Sequence, residues 1–465
     1  MQRIREKYFG DARFYKRVFM IAIPIMIQNG ITNFVNMLDN IMIGQIGTES
    51  MSGVSIVNQI LFVYNLCIFG AVSGAGIFTA QYYGQQNMEG IRHTVRFKLW
   101  VGITVTLLAF GICVAGGPTL ISMYLKGEGI AESIQATLHY GRQYMLIMLA
   151  GLPFYMVTQV YASTLRECGK TVLPMKAGIA AILINLVFNY MLIYGKFGFP
   201  AWGVRGAAVA TVCSRVVETA IIVVATHRNP GENPFVKGLY RTMAIPGNVV
   251  KKIIIKGTPL LFNETFWAAG MASLAGCYSL RGLNVVAALN ISNTIANLFN
   301  ISFVAMGEAV AIIVGQILGA GDMKNARETD TKLIVFSVLL CTGVAVVMFA
   351  IAPVFPNFYN TSGDIRLMAM RLIMITALFI PQSALLNALY FTLRSGGKTV
   401  IAFFFDSVFT WCVNVVTAFS LAKFTTLSIL WIYFFVQLTD SLKAIIGFIL
   451  VKKGVWLHNI VDEMQ

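Results

Sequence analysis

Twelve apolar stretches, each bounded by charge, glycine or proline, punctuate this chain. They fall at roughly 18–43, 53–80, 98–122, 143–164, 173–195, 203–226, 252–279, 286–317, 332–355, 367–392, 399–421 and 426–450. About 20 such residues cross the ~30 Å hydrocarbon core of a bilayer as a helix. In lipid the backbone must satisfy its own hydrogen bonds, so runs of this kind become helices. The sequence therefore predicts an all-α polytopic membrane protein with twelve transmembrane helices. Composition agrees, since 57% of the 465 residues are hydrophobic and 12% are charged. Soluble domains carry ~25% charged residues; half that charge excludes a cytosolic enzyme and a disordered chain.

The net charge of +15 would suggest a nucleic-acid partner in a soluble protein, but its distribution has another cause. Of the 35 Lys and Arg, 25 lie in the N-terminal segment, alternate loops and the C-terminal segment or at the span ends beside them; 8 lie in or beside the remaining loops, with Arg215 and Lys443 deeper inside spans. Basic loops stay on the cytoplasmic side, so both termini are expected there, in the plasma membrane, and no nucleic acid is expected. The basic start leads into a span too long for the apolar core of a cleavable signal peptide. The seven cysteines show no CxxC spacing and read as free thiols rather than a metal site.

Residues 227–251 are polar, basic and rich in Pro and Gly, and divide the spans six and six. They read as a cytoplasmic linker between an N-terminal lobe, 1–226, and a C-terminal lobe, 252–465. The lobes echo each other. The stretch 164–172, TLRECGKTV, returns at 392–400 as TLRSGGKTV; Gln81, Gly84, Met88, Arg92 and Thr94 return 235 residues later as Gln316, Gly319, Met323, Arg327 and Thr329. Pro24 pairs with Pro259, and Pro153 with Pro381. A shift of six spans preserves topology, so the halves are pseudo-symmetric six-helix bundles related by an axis along the membrane normal. Secondary transporters use such repeats, although a duplication that merely enlarged a bundle would look the same. The repeated Gly-Lys-Thr is no phosphate loop, because Thr164 and Thr392 stand where that loop needs its first glycine. No ATP site is expected, so an ion gradient or the substrate's own gradient must supply the energy.

A charge in the hydrocarbon costs about 2.5–3.5 kcal/mol on insertion scales. Arg215 with Glu218 and Asp440 with Lys443 are i,i+3 pairs at repeat-equivalent places, and read as structural ion pairs. Asp39, Glu264, Glu308 and Asp406 have no basic neighbour on their own helix. A lone buried carboxylate takes up a proton or awaits a cation, which suits ion coupling. The blander readings are a helix-end residue for Asp39 and structural or snorkelling acids for Glu308 and Asp406. Glu264 sits mid-span, and its repeat equivalent is Asn29. Asn185 and Asn189 share a helix face at i,i+4, and Thr211 follows on the next span. With Asp39 these offer oxygens for a monovalent cation or hydrogen bonds to a carboxyl; alone, two asparagines would read as interhelical glue.

These stretches together resemble one family. Residues 24–29 (PIMIQN), 39–47 (DNIMIGQIG), the Gln81/Gly84 and Gln316/Gly319 loops, the two LRxxGKT loops, 185–189 (NLVFN) and 203–211 (GVRGAAVAT) resemble, in order, the multidrug and toxic compound extrusion (MATE) exporters over essentially the whole chain. The resemblance implies twelve helices in two six-helix lobes that open as a V, and export of organic, mostly cationic compounds in exchange for H⁺ or Na⁺. It assigns coupling to Asp39, Asn185, Asn189 and Thr211, and matches Glu264 to a seventh-span acid of one branch. Some members carry an aspartate where this chain has Asn189, and some a tenth-span aspartate where only Asn387 stands here; Asp406 is the candidate to replace the latter. A second coupling or substrate site would draw on Glu264, Asp406, Glu308 and Asn29. A monomeric antiporter without a cofactor is expected. The alternative is a flippase for a lipid-linked sugar or peptide precursor, whose phosphates would demand unpaired Arg or Lys in the cavity. No catalytic motif supports an enzyme.

Overall fold

A computed structural model describes residues 7–125 and 131–462, apart from the side chains of residues 35–37, 40 and 131. The fold is all-α. In chain order the long helices are α1 Ala12–Gly44, α2 Thr48–Gly84, α3 Met88–Tyr124, α4 Ala131–Glu167, α5 Val172–Tyr194, α6 Val204–Arg228, α7 Gly247–Ser279, α8 Leu283–Gly319, α9 Met323–Ile351, α10 Gly363–Ser395, α11 Thr399–Phe424 and α12 Ile429–Lys453. Each apolar stretch of the sequence falls on one of them, with residues 195, 203, 352–355 and 426–428 beyond the helix ends. Ten are long and apolar enough to cross a membrane; α1 and α7 are the two that carry Asp39 and Glu264.

Most helices overrun their apolar stretch at one end or both. The third begins at Met88, ten residues before the apolar run, and carries Arg92, Arg96 and Lys98 on its first turns. Charge ends an apolar run but does not end a helix, since Lys and Arg are good helix formers. At 37 residues α2, α3, α4 and α8 reach about 55 Å, well beyond the ~30 Å core. Apolar side chains such as Leu107, 66% exposed, and Val346, 65% exposed, stand on the outside of these helices, as on helices that cross a bilayer.

The chain forms two compact units. One comprises Ile27–Thr79 and Met88–Lys251; the other comprises Lys252–Gln465 with the described part of Met1–Met26 and with Ala80–Asn87. In the first unit α4 packs on α3 and α6, and α5 on α6; in the second their repeat counterparts do the same, α10 packing on α9 and α12. Val18, Ile21, Ala22 and Ile25 of α1 are buried with α8 and α10 side chains such as Ala309, Val310 and Leu389, which is why the start of the chain belongs with the later half.

The repeated Gln/Gly loops explain themselves in this second unit. A Cβ on Gly84 would lie 1.9 Å from the Gln316 carbonyl oxygen, and one on Gly319 would lie 2.0 Å from that of Gln81. The ends of α2 and α8 thus pack backbone to backbone in a reciprocal contact that only glycine permits.

The linker is an ordered strap. Arg96, 2% exposed, donates to the carbonyls of Leu239 (2.9 Å) and Gly238 (3.0 Å). One turn away on either side, Arg92 reaches the Phe235 carbonyl (3.3 Å) and Trp100 the Met243 carbonyl (3.2 Å). Residues 235–243 are therefore held along one face of α3, and Lys170 reaches Asn233 Oδ1 at 2.9 Å.

Candidate functional site

The first polar cluster is built by α1, α5 and α6. Asn185 and Asn189 are buried on one face of α5. Asn189 Nδ2 donates to Asp39 Oδ1 (2.6 Å) and to Asn185 Oδ1 (3.1 Å). Asn185 Nδ2 in turn donates to Thr211 Oγ1 (3.3 Å), whose hydroxyl is anchored on the Ala207 carbonyl one turn back (3.0 Å). The four residues expected to act together form one continuous chain of hydrogen bonds. With both amide hydrogens of Asn189 committed to oxygens, its own Oδ1 is buried with no partner. Turning the amide over would set that oxygen against two other acceptors, so the orphan belongs to the site. A buried acceptor left unpaired costs about 1–3 kcal/mol. At the margin Tyr144 donates to Asn58 Oδ1 at 3.4 Å.

Arg215 Nη1 donates to Glu218 Oε2 at 2.9 Å along α6, and its guanidinium lies 5.3 Å from the Tyr155 ring centre. Glu218 offsets that cation.

The second cluster is built by α7, α10, α11 and α12, and here the structure corrects the expected pairing. Lys443 Nζ donates to Asp406 Oδ1 at 2.7 Å; Asp440 instead accepts from Asn414 Nδ2 at 3.0 Å. Asp406 thus has a basic partner, on another helix. The cause is local. The eleventh helix opens into π-helical turns at Phe404–Val408 and Thr410–Val415, a distortion common at functional sites, and Asp406 sits in the first. Its other oxygen accepts from Asn263 Nδ2 (3.1 Å), which also donates to Tyr390 (3.1 Å), while Ser407 Oγ donates to Asn263 Oδ1 (2.7 Å). Glu264, next along α7, is half-buried. Glu308 is not a lone acid either, since it has interactions of its own. Asn29 lies ten residues before Asp39, about 15 Å along an ideal helix, and so apart from the Asp39 cluster.

One buried acid was not singled out by the sequence. Asp330 is 1% exposed and accepts from Thr392 Oγ1 at 2.6 Å. It stands in the charged segment before the ninth apolar run, which reads as a loop. The repeat was the available signal: Thr164, equivalent to Thr392, receives a buried charge too, Lys98 Nζ at 3.3 Å, and that lysine bonds Glu167 Oε2 at 2.5 Å.

Known proteins match this architecture throughout. The MatE family model matches residues 24–191 and 259–420, one copy per half. The probable multidrug resistance protein NorM of Thermotoga maritima is 25% identical over 423 residues, covering 90% of this chain and 88% of the relative. The multidrug resistance protein MdtK of Edwardsiella ictaluri is 24% identical over 445 residues, covering 94% of each. A crystal structure of a MATE transporter in the bent conformation superposes with a TM-score of 0.83 at 20% identity, over 95% of this chain and 94% of that one. With two matched copies in two like-built halves, the chain belongs to the MatE family of membrane transporters.

Proposed function

We propose that this chain is a secondary antiporter that exports organic, mostly cationic compounds from the cytoplasm in exchange for a monovalent cation taken up at Asp39. The observation that carries this reading is the orphaned Asn189 Oδ1 beside the Asp39 carboxylate. A cation there gains a charged oxygen and a neutral one, with Asn185 and Thr211 holding Asn189 in place. The unpaired oxygen favours Na⁺ over H⁺, because a proton on Asp39 would leave Asn189 Oδ1 as it is, whereas a hard cation takes oxygen ligands directly. Relatives named as multidrug resistance proteins support efflux of diverse small molecules.

Ion binding drives a conformational step only by favouring one state over the other. A carboxylate exposed alternately to two compartments does so, since its charge is compensated in one state and must be desolvated alone in the other. The flippase reading finds little support: Arg215 and Lys443 each bind an acid, so neither is free for a phosphate. Both termini in the cytoplasm, and a single working copy of the chain, complete the proposal.

The test is efflux of an organic cation such as ethidium from proteoliposomes under separately imposed sodium and pH gradients. Efflux driven by sodium alone supports the reading. Efflux driven only by pH replaces Na⁺ with H⁺, and none under either gradient overturns ion coupling.

A further inference from the structure

The end of α2 is held by the last residues described. After α12, Gly454 takes a left-handed turn (φ +74°) and sends the chain back beneath its own bundle. Trp456 is fully buried, and Ile460 and Val461 are 1% exposed. Gln81, itself fully buried, binds this tail with both ends of its amide. Its Nε2 donates to the carbonyls of Ser395 (2.9 Å) and His458 (3.3 Å), and its Oε1 accepts from the Ile460 amide (2.9 Å). Asn459 Nδ2 reaches the Gly319 carbonyl at 3.3 Å, and Gln85 hydrogen-bonds Asp462.

The sequence is cut to receive the tail. A Cβ on Gly396 would lie 1.8 Å from the Trp456 carbonyl oxygen, and one on Gly397 would lie 2.6 Å from Ile460. The first copy of this loop has Cys168 where the second has Gly396. The second copy has therefore lost its side chain where the tail passes.

We propose that residues 455–462 form a latch that fastens the end of α2 to the later half and must release during the transport cycle. The body of α2, up to Thr79, belongs to the earlier compact unit, whereas Ala80–Asn87 belongs to the later one. Fixing the end of this helix opposes any movement of residues 80–87 within the later unit. Gln81 is the positioning residue: deleting its amide removes three hydrogen bonds but no apolar contact of Trp456. The proposal rests on the transporter reading.

The experiment compares the full chain with Gln81→Ala, Gly396→Ala and a chain ending after Gly454, all in lipid nanodiscs and proteoliposomes. Hydrogen exchange is followed in 80–87 and, where present, 455–462; ethidium transport is measured from each side. Each hydrogen bond of this kind shifts an equilibrium by about two- to tenfold. Gln81→Ala is therefore expected to speed exchange at both segments about tenfold or more, and to change the ratio of transport rates from the two sides at least twofold. Gly396→Ala should do the same with Gln81 intact, which keeps the test decisive if one variant folds poorly. If the tail is freed and 80–87 exchanges at the wild-type rate, or if both transport rates stay at wild type, the latch is refuted. If the wild-type chain carries no ethidium, the antiporter reading fails as well, while exchange still reports whether the tail docks on α2.

Discussion

Asp39→Asn is the sharpest test of the first cluster. The substitution is isosteric, and an asparagine can still accept from Asn189 Nδ2, so the hydrogen bonds to α5 survive while the charge is lost. For a bound monovalent ion, attraction to a carboxylate about 4 Å away at an effective dielectric of ~20 is worth about 4 kcal/mol. At 1.36 kcal/mol per tenfold, that is an affinity loss of about three orders of magnitude. The half-saturating sodium concentration for ethidium efflux should accordingly leave the accessible range, so that efflux no longer responds to an imposed sodium gradient. Downhill exchange of ethidium should persist, because the fold and the second cluster are untouched. Asn189→Ala should give a smaller version, a rise of about tenfold in half-saturating sodium, through loss of one neutral oxygen and one hydrogen bond. If Asp39→Asn kept wild-type sodium dependence, ion binding at the α1–α5–α6 junction would be wrong, whatever the family resemblance.

Lys443→Met should be far more damaging than the double variant Lys443→Met with Asp406→Asn. Breaking a buried pair costs about 3–5 kcal/mol while replacing both members is often neutral, and thermal unfolding in detergent reads the difference; equal losses would show the pair to be unimportant. Gly84→Ala should destabilise by about 1–3 kcal/mol, since the atom it meets at 1.9 Å is backbone; a wild-type melting temperature would show that the ends of α2 and α8 are not in contact. Arg96→Ala should increase trypsin cleavage at Lys237 and Arg241 at least tenfold by releasing two charge-assisted bonds to the strap, and unchanged cleavage would count against it. Burial pushes the Cys168 thiol up to about 12, so at pH 8 it is almost wholly protonated and N-ethylmaleimide should leave it unmodified until the protein is denatured; rapid labelling in the native state would place that loop in solvent.

Much of the fold was legible because two signals reinforced each other. Apolar length located each helix, and recurrence of Pro24 at Pro259 and of the LRxxGKT loop located each half. What the sequence could not supply was the partner across a helix boundary. Spacing of i,i+3 puts Asp440 and Lys443 on one face, and for Arg215 and Glu218 that rule holds at 2.9 Å. It fails for Lys443 because Asp406, on a π-turn of the neighbouring helix, competes for the same ammonium, and such a turn has no signature in hydropathy. Asp330 was overlooked for a related reason: a carboxylate within a charged segment reads as solvated, and only packing shows that Thr392 and the surrounding helices enclose it. The polar composition of 227–251 read as a linker, and nothing in it showed that the carbonyls of 235–239 would be the acceptors for Arg92 and Arg96.

The repeat also explains why the halves differ in chemistry at a shared position. With offsets of 235, 228 and 225 residues, Gln28, Gly178 and Glu218 of the first half correspond to Asn263, Asp406 and Lys443 of the second. The three meet in both places. A Cβ on Gly178 would lie 3.6 Å from Gln28 Nε2 and 3.8 Å from Glu218 Oε1, just as Asp406 lies against Asn263 Nδ2 and Lys443 Nζ. The same three-helix junction therefore carries an acid in one half and no side chain in the other. Where the acid is present, a lysine neutralises it across helices. Where it is absent, the residue at the lysine's place is Glu218, which pairs along its own helix with Arg215. Each junction is balanced internally, and the two solutions have opposite sign at corresponding atoms. Outside these junctions Asp39 stands in the first half and Glu264 in the second, on the corresponding helices α1 and α7 but at non-equivalent positions. One scaffold, used twice, thus places its two acids at different positions along its first helix.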